Sequence, residues 1–513
     1  MKTNRAITLL LLLCTVTTWS QNRIDFKPAA ERITISKHIY GHFAEHLGRC
    51  IYDGLYVGED NKTIPHTNGV RNDVVEALKK LNIPNLRWPG GCFADTYHWK
   101  DGIGPKEQRP SIVNMWWGGV TENNSFGTHD FLNLCELLGT EPYLAGNIGS
   151  GEVQELSDWV QYVNFNGSSP MADLRRKNGR DKPWKVNFWG VGNEAWGCGG
   201  NMTADYYADL YKKYATFISD WGNEGKLYRI ASGANSNNYE WTETLLKKIP
   251  KSLVQGLALH HYAVIDWNRK GPAVDFTDAE YFKTMKASWF MNELVEKHSA
   301  IMDKYDPKKE IALIVDEWGA WYDPEKDSKE GVLYQQNTIR DALIAGMNLN
   351  IFNNNAARVR MANLAQAVNV LQAVILTQGD KMLLTPTYHV LDLYKVHQDA
   401  TLLPVEVNSS RFTYEGESLP TVTASASVDS NGKTHISLVN IHPKDQQQIT
   451  INTGNTVYRK VSGQILTSNN LRDYNSFANP NKINPKSFKA TKINGTSLVV
   501  TLPPFSVVVL EVE

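Results

Sequence analysis

The sequence predicts a (β/α)8 TIM barrel followed by a C-terminal antiparallel β-sandwich. Three observations carry this expectation. Between about residues 37 and 380, short β-rich apolar runs alternate with longer amphipathic segments. Nearly every apolar run stops on a polar functional group, as strands do at the active face of a barrel. After about Thr385 the texture turns to alternating, β-branched segments separated by Asn, Gly, Pro and Ser turns.

Taken in order, the barrel strands are expected at Ile39–Glu45, Asn85–Trp88, Pro142–Asn147, Val186–Gly192, Arg229–Gly233, Gly256–Tyr262, Ile311–Glu317 and Leu349–Phe352. Helices are expected at Asn72–Leu81, His129–Leu138, Ala204–Trp221, Tyr281–Tyr305 and Val332–Met347. A doubly wound open sheet is the structural rival, but no phosphate-binding glycine loop follows the first strand. Sandwich strands are expected within Thr421–Val428, His435–Asn440, Gln448–Asn452 and Ser497–Val512, with 469–487 as a long surface loop. The organisation is therefore 1–20 a signal peptide, 21–36 an N-terminal strand joining the sandwich, 37–384 the barrel and 385–513 the sandwich.

The signal-peptide reading rests on a basic start, the apolar run Ala6–Cys14 and small residues near Ser20. It implies an exported protein, periplasmic or secreted. The run is too short to span a membrane. Beyond it, four cysteines remain: Cys50, Cys92, Cys135 and Cys198. Their spacing is not that of a zinc site, and their pairing is left open.

Hydrophobic residues at 42% exclude a disordered chain. Lys+Arg 53 against Asp+Glu 54 leaves a net charge of −1, which provides no field for nucleic acid or an anionic membrane. The substrate is thus neutral or read locally. Fifteen Trp and 22 Tyr fill core for the most part, but aromatic faces also suit the apolar C–H faces of sugar rings.

The polar strand ends are Glu45, Arg87, Asn147, Asn193-Glu194, His260 with Tyr262, Asp316-Glu317 and Asn353–Asn355. One such end is explained by a satisfied structural group; seven converging on one face imply a cleft. Within it, Glu194 and Glu317 close strands four and seven. Two carboxylates facing each other across a barrel mouth suit acetal cleavage, one protonating the leaving oxygen while the other attacks or activates water. Neither dipeptide is specific alone, since a helix-starting or surface carboxylate looks the same. The apolar run before each argues against that bland reading. No metal or other cofactor is required by such chemistry.

Tyr40-Gly-His-Phe-Ala-Glu-His46, Leu86-Arg-Trp-Pro-Gly-Gly-Cys-Phe93, Gly190-Val-Gly-Asn-Glu194, Leu259-His-His-Tyr262, Val315-Asp-Glu-Trp318 and Met361-Ala-Asn-Leu-Ala-Gln-Ala-Val-Asn-Val370 follow one another in order. Together they resemble the successive motifs of family 51 glycoside hydrolases, over about residues 38–376. The resemblance implies a retaining α-L-arabinofuranosidase, releasing terminal arabinofuranosyl groups from arabinan or arabinoxylan. It implies Glu194 as acid/base, Glu317 as nucleophile and Asn193 on the sugar 2-hydroxyl. Glu45 and Gln366 are implied to bind other furanose hydroxyls, and Tyr262 to fix Glu317. Cys92 falls where the family often carries Asn, so its sugar contact is a weaker one. Trp117 and Trp321 resemble walls for the leaving group, and Arg87 and His260 support the site. The resemblance also allows a homo-oligomer. Rival readings are another retaining barrel hydrolase, a β-xylosidase or endoglucanase, and a sugar-binding protein without turnover. The intact carboxylate pair argues against the last.

Overall fold

The computed structural model describes residues 22–513 apart from 222–225, 327, 329 and 330; the expected signal segment 1–20 lies outside the described residues. Eight parallel strands close a barrel: β1 (Gly41–Phe43), β2 (Asn85–Trp88), β3 (Glu141–Gly146), β4 (Phe188–Val191), β5 (Tyr228–Asn235), β6 (Gly256–Ala263), β7 (Ala312–Ala320) and β8 (Val359–Ala365). A helix follows each strand and packs outside, from Asn72–Leu81 after β1 to Pro386–Tyr394 after β8. Side chains such as Trp88, Trp189, Trp318 and Phe352 fill the space between strands and helices.

Seven of the expected strands overlap observed ones. The eighth does not. Leu349–Phe352 lies in the helix Ile339–Asn354, and the last barrel strand is Val359–Ala365. The helix starts where Thr338 and Asp341 form a reciprocal cap. Every residue from Ile339 to Asn353 is buried, because the helix lies between the barrel and the sandwich. A helix buried all round has no solvent-facing polar stripe to mark its period, so its Leu-Asn-Ile-Phe stretch reads like a strand. Asn353–Asn355 consequently end a helix and do not reach the barrel mouth. Asn353 donates to Ser425 Oγ at 3.2 Å and Asn354 to the Ala424 carbonyl at 2.8 Å, both on the sandwich.

The C-terminal region forms two facing sheets. One has five strands, in the order Val405–Asn408, Asn22–Phe26, Gln447–Asn452, Ser497–Leu502, Thr491–Asn494. The other has six, in the order Thr401–Leu403, Val422–Val428, Thr434–Asn440, Ser506–Val512, Val461–Leu466, Lys486–Ser487. Ile24, Ile449, Ile451, Leu498 and Val500 from the first meet Ala426, Ile436, Leu438, Val508 and Leu510 from the second. The N-terminal strand is thus Asn22–Phe26, at the start of the expected segment 21–36. It runs parallel to Gln447–Asn452, the one parallel pairing in the two sheets. Within 469–487, Asn475 is fully buried and donates to the carbonyls of Leu384 and Ile483, so this segment is anchored rather than a free surface loop.

Candidate active site

The site sits at the C-terminal ends of the barrel strands. On β6, alternation sends His260 and Tyr262 toward the mouth, while His261 turns outward and meets the Ala287 carbonyl at 2.8 Å. On β7 strict alternation would separate Asp316 from Glu317. The register instead shifts between Val315 and Trp318, and both carboxylates reach the Arg87 guanidinium of β2. Nη1 of Arg87 donates to Glu317 Oε1 at 2.9 Å, and Nε lies 3.6 Å from Asp316 Oδ2. Asp316 also accepts from Tyr143 OH at 2.8 Å and from Asn363 Nδ2 at 2.7 Å. The barrel interior beneath the site is therefore a paired polar column, as buried charge requires.

After β4 the chain turns sharply. Gly192 has φ 84° and Glu194 has φ 41°, a left-handed conformation uncommon for a residue with a side chain. Asp95 stabilises this turn by accepting from the backbone N–H of Asn193 at 2.8 Å and from those of Ile148 and Gly149 at 2.7 and 2.8 Å. Arg87 Nη2 donates to Asn193 Oδ1 at 2.5 Å, which leaves the Asn193 amide nitrogen as the donor, here 4.0 Å from Cys198 Sγ.

A carboxylate oxygen of Glu194, one of Glu317 and a ring nitrogen of His260 all lie within 4.8 Å of one another. His260 Nδ1 is 2.9 Å from Glu194 Oε1 and 3.6 Å from Glu317 Oε1. Tyr262 OH donates to Glu317 Oε2 at 2.7 Å. The two carboxylates are in different surroundings, and this sets them apart chemically. Burial, joined by the charge of Glu317, outweighs the hydrogen bond from His260 and raises the pKa of Glu194. Burial also pushes Glu317 upward, but His260, Arg87 and the Tyr262 hydroxyl overcome it and hold the group below the usual carboxylate value. His260 responds in turn: burial disfavours its cation, yet Glu317 and Glu194 raise its pKa overall.

Beside this pair is a small recess lined by Glu45, Cys92, Trp117, Tyr262, Trp321 and Gln366 among others. Glu45 Oε1 accepts from Phe93 N–H at 3.1 Å and Trp117 Nε1 at 2.9 Å, while Oε2 accepts from Gln366 Nε2 at 3.0 Å. Burial, with help from the nearby charge of Glu317, pushes Glu45 up to about 7. Gln366 Oε1 is buried without a partner among the described residues, and Gln366 is one of the residues that line the recess. Gly90 and Gly91 allow the β2 loop to pass here. A Cβ on Gly91 would lie 3.0 Å from Glu317 Oε1, and one on Gly90 2.7 Å from Glu45 Cγ.

Most of the residues chosen from the sequence come together here: Glu45, Arg87, Cys92, Trp117, Asn193, Glu194, His260, Tyr262, Glu317, Trp321 and Gln366. Arg87 hydrogen-bonds Glu317 and Asn193 rather than Glu45. Cys92 is joined to Cys198 in a disulfide, so it offers no thiol to a ligand. Cys50 and Cys135 are free and buried. Asn147 turns inward on its own loop, accepting from the N–H groups of Ser150 and Gly151 and donating to the Tyr97 carbonyl. Asp95 and Cys198 were missed. Asp95 lies three residues beyond Cys92 in a stretch already marked by its glycines, but no spacing rule links it to Asn193. Cys198 stands four residues after Glu194, a signal of proximity only once the turn is known.

Two family models match the chain: the "Alpha-L-arabinofuranosidase 1 domain" over residues 77–277 and the "Alpha-L-arabinofuranosidase C-terminal domain" over residues 316–506. An "Intracellular exo-alpha-L-arabinofuranosidase" of Bacteroides ovatus is 53% identical over 93% of this chain and 93% of its own. A "Probable alpha-L-arabinofuranosidase C" of Aspergillus niger is 32% identical over 87% of this chain and 90% of its own. Among solved structures, the GH51 arabinofuranosidase from Xanthomonas axonopodis pv. citri superposes with TM-score 0.94 at 45% identity, covering 96% of this chain and all of the other. The α-L-arabinofuranosidase of Thermotoga maritima, in an arabinose complex, gives TM-score 0.84 at 32% identity, with 96% and 100% covered. The Bacteroides ovatus relative overturns one expectation. It is named intracellular, so the apolar start is no longer read as a signal peptide, nor the protein as periplasmic or secreted.

Proposed function

The chain belongs to glycoside hydrolase family 51 and is an α-L-arabinofuranosidase acting on arabinose-containing glycans, and from this premise we propose that it works by double displacement with Glu317 as nucleophile and Glu194 as acid/base. In the first step a Glu317 oxygen attacks the anomeric carbon. The glycosidic C–O bond breaks, and Glu194 gives its proton to the departing oxygen. In the second step Glu194 takes a proton from water, whose oxygen attacks the same carbon and releases Glu317. One water is consumed, and the enzyme returns to its starting state.

The observation that carries this reading is the short approach of the two carboxylates, within 4.8 Å oxygen to oxygen. Retention needs ~5–5.5 Å between the carboxyl groups, whereas inversion needs ~6.5–9.5 Å to admit a water. Their opposite pKa shifts support the same roles, a protonated acid beside an ionised nucleophile. In this proposal the Asn193 amide nitrogen donates to the sugar 2-hydroxyl, and Glu45 and Gln366 take further hydroxyls of the one ring held between them. Cys92 lines that recess through its disulfide. Trp117 and Trp321 wall it, Arg87 and Tyr262 orient Glu317, and His260 bridges the two carboxylates. A pocket closed around one ring suits removal of single terminal groups from arabinan or arabinoxylan. Proton NMR during hydrolysis of an aryl α-L-arabinofuranoside tests the stereochemistry. The α-anomer of arabinose should form first and then mutarotate; initial release of the β-anomer would reject double displacement.

A further inference from the structure

The disulfide between Cys92 and Cys198 takes no part in the double displacement, yet it lies against the acid/base. Cys92 opens the short helix Cys92–Thr96 after β2, and Cys198 sits in the turn after β4. Cys198 Sγ is 3.4 Å and Cys92 Sγ 4.0 Å from the same oxygen, Glu194 Oε2. The other oxygen, Oε1, is taken by His260. The two sulfurs and a Glu194 oxygen all lie within 4.8 Å of one another. In sequence the cysteines are 106 positions apart, so no compact spacing announces them as a pair. Each is held by its own backbone as well as by the bridge. Around Cys92, the Ala94 N–H donates to the Gly91 carbonyl at 3.0 Å. Around Cys198, the N–H groups of Gly197 and Gly199 both donate to the Glu194 carbonyl, at 2.7 and 3.1 Å. Opening the bridge therefore leaves both sulfurs beside Glu194. Both cysteines and Glu194 are half-buried, within reach of solvent at the barrel mouth.

We infer that, once the bridge is reduced, Cys92, Cys198 and Glu194 form a binding site for a thiophilic divalent cation, Zn2+, which inhibits the enzyme by occupying Glu194 Oε2. A dithiol supplies the electrons. Its thiolate attacks Cys198 Sγ, the S–S bond breaks, and Cys92 leaves as a thiolate. The second thiolate of the reductant then attacks the mixed disulfide, frees Cys198 and closes the reductant into a cyclic disulfide. Two electrons and two protons have passed to the protein, and the protons go to solvent when the cation binds the thiolates. Zinc takes four ligands tetrahedrally with Zn–S bonds of ~2.3 Å, so two sulfurs on it stand roughly 3.8 Å apart. Rotation about the two Cα–Cβ bonds reaches that separation from Cα atoms 5.4 Å apart. Water from the recess takes the fourth position. Thiolate ligands favour zinc over magnesium or calcium, and His260 orients the carboxylate through Oε1, as outer partners of metal ligands do. The site stands on the sulfurs and the carboxylate, while the inhibition rests on the role proposed above for Glu194.

The test uses the whole folded protein in two forms, oxidised and reduced with dithiothreitol, the reductant then removed under nitrogen. Cys50 and Cys135 are free in both forms, so any difference between the forms isolates the pair. Co2+, a coloured stand-in for Zn2+, should give a thiolate-to-cobalt charge-transfer band with the reduced form and none with the oxidised one. Zn2+ should lower kcat/KM of the reduced form on α-1,5-arabinobiose about 100-fold, the contribution of a general acid to a poor leaving group. The oxidised form should keep its rate in the same Zn2+, and a chelator should restore the reduced form. Cys198→Ser should lose both the band and the sensitivity to Zn2+. A bridge that dithiothreitol cannot open in the folded protein, a reduced form without the band, or equal inhibition of both forms would overturn the inference. A band with undiminished kcat/KM would leave the metal site standing and refute the inhibition, and with it Glu194 as the acid.

Discussion

At the scale of single residues the site depends on making two neighbouring glutamates differ. Glu317→Ala should abolish turnover on every substrate, because no glycosyl-enzyme can form. Glu194→Ala should lower kcat/KM most for poor leaving groups and spare it for activated aryl glycosides, whose kcat falls because the second step lacks its base and is partly rescued by azide; steady-state kinetics across leaving groups measures this. Near-normal turnover by Glu317→Ala would remove it as nucleophile. The pH profile follows from the same pair. Activity rises as Glu317 ionises and falls as Glu194 loses its proton, giving a bell. His260 favours the charged form of both carboxylates. Its replacement by Gln removes that influence, so both pKa values rise and both limbs of the kcat/KM profile move to higher pH. A bell that stays in place or moves to lower pH would contradict the bridging role of His260.

At the scale of elements, the register shift on β7 brings neighbouring residues to one face, where Asp316 supports Arg87 and Arg87 supports Glu317. Asp316→Ala should leave Tyr143 and Asn363 without their acceptor and cost about 2–4 kcal/mol. The denaturant midpoint should fall accordingly, and an unchanged midpoint would show the column to be dispensable. This dependence was not legible from the sequence, since a register shift is a property of two paired strands. Strand ends were legible where an apolar run stopped on a polar group, as at Arg87, Glu194 and Glu317. The same rule misassigned Asn353–Asn355, because a fully buried helix also shows an apolar run that ends in polar residues. Gln366 could be chosen only through its motif, as it directly follows a strand, Val359–Ala365, that the periodicity did not identify.

At the scale of the molecule, the barrel and the sandwich share a buried polar seam. Asn350 donates to Thr423 Oγ1 at 3.1 Å and accepts from Ser425 Oγ at 2.8 Å. His397 lies between Ser427 and Ser437, and Tyr281 OH donates to the Ile441 carbonyl at 2.5 Å. The strand Asn22–Phe26 precedes the barrel in sequence yet pairs with Val405–Asn408 and Gln447–Asn452, so the segment before the barrel is fastened into the C-terminal sheets. A seam whose polar groups lose their partners on separation should make the two parts unfold together. Calorimetry should record one cooperative transition with matching calorimetric and van't Hoff enthalpies. Two resolved transitions would show the seam to be weak.

The double displacement itself is open to direct observation in the whole protein. In Glu194→Ala an activated aryl α-L-arabinofuranoside can still react with Glu317, while the second step lacks its base and slows. Acid quenching followed by mass spectrometry should find the protein heavier by one pentosyl unit, and peptide mapping should place that unit on Glu317. Substrate turnover with no adduct, or an adduct on any other residue, would contradict the assignment of the nucleophile.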